Sequence, residues 1–94
     1  MSAQPIAGAR FKAGDKIRTT GPIARSQVRL LANAELCPAQ IASESLGEVL
    51  GLVHGDGLRV CIEDANMTAP VEMIVPPQVR GRLEHFRHWK SWRF

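Results

Sequence analysis

At 94 residues, with 45% apolar and 22% charged side chains, the chain has the size and make-up of one small globular domain. These values exclude wholesale disorder and leave no room for a catalytic domain joined to a regulatory one. The formal charge of +3 is unevenly spread: residues 1–34 carry +5, residues 35–78 carry −6 and residues 79–94 carry +4.

Residues 1–10 are small and polar and read as a flexible lead-in to a domain over residues 11–78. Met1 to Gly8 lacks the basic and apolar regions of a secretory signal, and no apolar run approaches the roughly 20 residues of a membrane span. A cytoplasmic location is therefore expected, with Cys37 and Cys61 as free thiols.

Ala13-Gly14-Asp15 has turn chemistry and feeds a strand over residues 16–20, which Gly21-Pro22 ends. Over residues 23–46, Val28, Leu31 and Leu36, with Leu30 and Ala34, fit a helical stripe. Cys37-Pro38 breaks it, and proline suits the first position of a second short helix running to Leu46. A helical insertion is expected here, with an irregular loop holding one helical turn as the competing reading. Residues 47–53 form a strand, and His54-Gly55-Asp56-Gly57 is a hairpin turn. Residues 58–63 alternate, with Leu58, Val60 and Ile62 on one face and Arg59, Cys61 and Glu63 on the other. Asp64-Ala65-Asn66 turns the chain into a strand from Met67 to Val75, with Pro70 at an edge or at its start. Pro76-Pro77 stops that strand, and residues 78–83 suit a single 3₁₀ turn.

One strand, a long connection and three short strands with tight turns describe a small, bent antiparallel sheet. At this length its natural closure is a partly open barrel. The pattern Phe11-x-x-Gly14-Asp15-x-Ile17-Arg18, with Gly47-x-Val49 and Val71-Glu72-Met73-Ile74-x-Pro76, resembles the SH3-like small barrels. Among these are the β subunit of nitrile hydratase, ribosomal-type KOW modules and the type II dihydrofolate reductases. The resemblance spans roughly residues 11–77 and implies a fold: mainly β, a partly open SH3-like barrel with a short helical insertion between its first and second strands. The reductases' Val-Gln-Ile-Tyr pore strand would fall on Val71-Glu72-Met73-Ile74, which lacks the glutamine and the tyrosine.

Candidate chemistry is sparse. His54 and Asp56 share a turn, as a base and its orienter would, yet Asp56-Gly57 is also ordinary turn chemistry. Cys37 before a helix start would have an activated thiol, against the commoner buried structural cysteine. Cys61 falls on the outward face of its strand. Asp56, Glu63, Asp64 and Glu72 define an acidic face without calcium-loop spacing, and His85-x-x-His88 lacks a third ligand. Neither a metal site nor a cofactor is expected.

Residues 79–94 stand apart as a basic, aromatic tail. Arg82, Phe86, Arg87, Trp89, Lys90, Trp92, Arg93 and Phe94 interleave cations with large rings, and Phe11 is the only aromatic outside the last nine positions. These rings can plug an open barrel end, anchor a protein partner, or stack on single-stranded bases while the arginines meet phosphates. The leading reading is a non-catalytic binding or accessory module that engages a protein partner or its own copy through this tail and the acidic face. A single-stranded nucleic-acid module is the alternative, and a small oligomeric enzyme with an inter-subunit site the outside one.

Overall fold

The computed structural model describes residues 11–53 and 57–86. These residues hold the strands β1 (Lys16–Thr19), β2 (Ile23–Ala24), β3 (Arg29–Ala32), β4 (Gln40–Ile41), β5 (Leu46–Val53), β6 (Gly57–Glu63), β7 (Val71–Val75) and β8 (Leu83–His85). Six of them build one antiparallel sheet in the order β3-β7-β6-β5-β1-β8, and β2 pairs with β4 apart from it. The fold is mainly β. No barrel closes among the described residues: β3 and β8 are the two ends of the sheet and do not pair with each other.

The turn before β1 forms because Gly14 takes a φ of +95°, which costs other residues strain. The Asp15 amide donates to the Lys12 carbonyl at 3.1 Å, and the Gly14 amide reaches Val49 on β5 at 2.8 Å. From there the sheet follows side-chain alternation. Ile17, Val49, Val60, Ile62, Val71 and Met73 face inward and are at most 1% exposed. Each such side chain contributes on the order of 1.5–3 kcal/mol relative to an exposed one. At Gly47 the inner row has no side chain, because a β-carbon there would meet the Cys61 carbonyl oxygen and the Ile62 backbone on β6. An extra residue at Leu50 then bulges β5 between the Val49–Val60 and Gly51–Arg59 pairs, and such bulges sharpen a sheet's bend.

The expected helical insertion over residues 23–46 is absent. That segment holds β2, a 3₁₀ turn (Arg25–Gln27), β3, a second 3₁₀ turn (Ala34–Leu36) and β4. The apolar spacing there has a period of two: Val28 and Leu30 are partly buried against the core, whereas Leu31 is 42% exposed. Asn33 ends β3 in the left-handed conformation (φ 61°), and Cys37 before Pro38 is extended, so no helix starts there. Ile23 and Ile41 face each other in the β2–β4 pair and are fully buried.

β7 is shorter than expected, since Met67 to Pro70 lies outside it. Met67 belongs to the preceding turn, where its amide donates to the Asp64 carbonyl at 2.9 Å. A 3₁₀ turn (Arg80–Arg82) follows, as the sequence suggests, and leads into β8. The sheet thus runs on past residue 78, so the first residues of the basic segment are structural. The lead-in, residues 1–10, lies outside the described residues.

Candidate functional site

Three regions carry polar chemistry: the outer face of the sheet, the seam between β1 and β8, and a groove beside β3.

On the outer face the charges are paired along the ladder. Lys16 Nζ meets Glu48 Oε1 at 2.9 Å on β5, and Arg59 on β6 pairs with Glu72 on β7. Cys61 sits between Glu48 and Glu72 in register, and burial pushes its thiol pKa up. Of the expected acidic face, Glu63, Asp64 and Glu72 lie among the described residues, each in a different setting. Glu72 is neutralised by Arg59, and Asp64 is only 3% exposed. The Asp64 carboxylate accepts the Ala42 amide at 2.8 Å and the Asn66 amide at 2.6 Å, so it ties two loops together. Glu63 is half-buried opposite Leu46. Asp56 and His54 lie outside the described residues.

The β1–β8 seam is where the basic segment joins the sheet. Arg18 pairs with Glu84 through Nε at 2.7 Å and through Nη2, and its guanidinium carbon lies 5.4 Å from the centre of the Phe86 ring. The Phe86 amide donates to the Lys16 carbonyl at 2.9 Å, which extends the seam by one residue. His85 stacks on Phe11 with ring centroids 4.5 Å apart, and its Nε2 lies 3.0 Å from Asp15 Oδ2. Burial alone would raise the Asp15 pKa. Hydrogen bonds from the Lys12 amide and His85, with the charges of Lys12 and His85, outweigh it and hold the carboxyl below the ordinary aspartate range.

Beside β3, Arg25, Ser26, Val28, Leu30 and Ala39 line an open, mostly apolar groove of about 480 Å³. Arg25 reaches the Cys37 carbonyl at 3.3 Å. Cys37 itself is 4% exposed, its thiol donates to the Pro38 carbonyl at 3.4 Å, and burial raises its pKa, opposing an activated nucleophile.

Of the sequence-identified tail, Phe86 lies at the end of β8, and Arg82 donates to the Pro22 carbonyl across the chain. Arg87, His88, Trp89, Lys90, Trp92, Arg93 and Phe94 lie outside the described residues. The seam and the groove escape a reading of local sequence, because their partners are 12 to 74 residues apart. No group of three or more histidine, cysteine or acidic residues is placed to hold a metal ion among the described residues. Nor does any helix there have the length and apolarity to cross a membrane. No family model, curated protein or solved structure matches the chain.

Proposed function

We propose that the chain is a small, non-catalytic binding or accessory module of the cytoplasm, built on a partly open SH3-like barrel. It engages a protein partner or a second copy through its basic, aromatic C-terminal segment. Support for the SH3-like form comes from the strand order, a β5-β6-β7 meander with β1 beside β5, and from the pairing of the first and last described strands, β1 and β8. The observation that carries the binding function is the starting point of the tail. It leaves an edge strand whose polar side chains already have partners, Glu84 in Arg18 and His85 in Asp15. Beyond Glu84 the sequence has Arg87, Lys90 and Arg93, Trp89 and Trp92, and no acid at all. Those cations and rings match the residue types that dominate protein contacts.

Sedimentation velocity on the full chain and on its W89A/W92A variant tests this reading. Association of the first that weakens in the second is expected. Monomers in both cases would remove self-association. The nucleic-acid alternative predicts quenching of tryptophan emission by an oligonucleotide at low salt, and unchanged emission removes it.

A further inference from the structure

Among the described residues, Lys16 is matched to Glu48, Arg18 to Glu84 and Arg59 to Glu72. The exposed cations beside β3 are different. Arg25 bonds a backbone carbonyl and Arg29 projects from the edge strand, and neither makes an ion pair among the described residues. Arg25 lines the groove that Val28, Leu30 and Ala39 make apolar, while Arg29, opposite Ile74 in register as Arg59 is, lies on the outer face of β3. Among the described residues β3 also has a strand neighbour on one side only, β7, so its other side is a sheet edge.

We infer that this edge is a docking site for an extended, acidic segment of a partner polypeptide, which adds as a strand beside β3. Three features select that occupant. The backbone edge takes a strand, the groove takes that strand's apolar side chains on one face, and Arg29 takes its carboxylates on the other, with Arg25 at the groove for a carboxylate at its end. A second copy docked edge to edge would set Arg29 near its own equivalent, and like charge disfavours it. The inference rests on the binding-module reading but uses a surface distinct from the tail.

The test uses the full chain and fluorescence anisotropy with three labelled decapeptides at low salt: alternating glutamate and valine, the same with lysine for glutamate, and the acidic one N-methylated at alternate residues. Binding of the acidic peptide alone is expected. Affinity should fall by about tenfold or more in R25E/R29E and by less in R25Q/R29Q. Far-UV circular dichroism shows that each variant keeps its sheet. No binding, equal binding of the lysine or N-methylated peptide, or insensitivity to R25E/R29E overturns the proposal. Loss of binding in R87A/K90A/R93A alone also overturns it and leaves the tail reading standing. Self-association of the free chain that R29E abolishes assigns the edge to a second copy and overturns it equally.

Discussion

Phe11 and His85 are 74 positions apart in sequence, and their rings stack with centroids 4.5 Å apart and planes inclined by 26°. Phe11 is 5% exposed, whereas a third of the His85 side chain faces solvent. Phe11 therefore supplies core volume, and His85 uses it as a platform that holds β8 against the turn before β1. Phe11→Ala is expected to cost about 3–5 kcal/mol and His85→Ala about 1 kcal/mol in urea unfolding. In the double variant the two losses should fall short of their sum by about 0.5–1.5 kcal/mol, the usual worth of a ring pair. Additive losses would show that the stack does not hold the strand.

Asp15 makes the seam sensitive to acid. Its folded pKa lies below the ordinary aspartate value, so its contribution is fully present above about pH 4 and is lost as pH falls through the folded pKa. Asp15→Asn should therefore be less stable than the parent at pH 6, and the two should converge on acidification below about pH 4. Thermal melts at a series of pH values read this directly. A gap that stays constant down to pH 2 would place the contribution elsewhere.

Thr19 is a buried polar pin at 1% exposure. Its hydroxyl donates to the Ala42 carbonyl at 2.9 Å and accepts the Ser45 amide at 2.8 Å, which fixes the turn between β4 and β5 onto β1. Thr19→Val keeps the shape and strands the Ser45 amide, at an expected cost of about 1–3 kcal/mol. Thr19→Ser keeps the hydroxyl and should retain most of that. Equal losses in the two variants would assign the cost to packing.

Glu44, in the same turn, has a φ of 67°, a conformation that disfavours side chains. Glu44→Gly removes that strain and is expected to raise Tm by a few degrees, consistent with a gain of about 0.5–1 kcal/mol. A lower Tm would mean that the turn is held by the glutamate side chain.

The strands legible from sequence are those whose alternation is long enough to exclude a helix. β6 shows it at Leu58, Val60 and Ile62, and β7 at Val71, Met73 and Val75. β3 was not legible, because Val28, Leu30, Leu31 and Leu36 suit either period, and only tertiary packing shows that Leu31 turns outward. The acidic residues misled for a related reason. A count of charge does not distinguish Asp64, buried beneath two backbone amides, from Glu72, matched by an arginine one strand away. The Phe11–His85 stack leaves no local trace, since its two rings lie 74 positions apart.

The pairing of β1 with β8 sets the order of assembly. Arg18 and Glu84 are 66 residues apart, so β1 cannot gain its outer neighbour until nearly the whole described chain has been made and the β5-β6-β7 meander has formed. Closing so long a loop slows folding. Until it closes, β1 is itself an edge strand with Ile17 awaiting the cover that β8 completes, and the nascent chain is most prone to mispairing in that interval. Leu83 to Phe86 thus reach their place at the sheet edge only when the last strand locks.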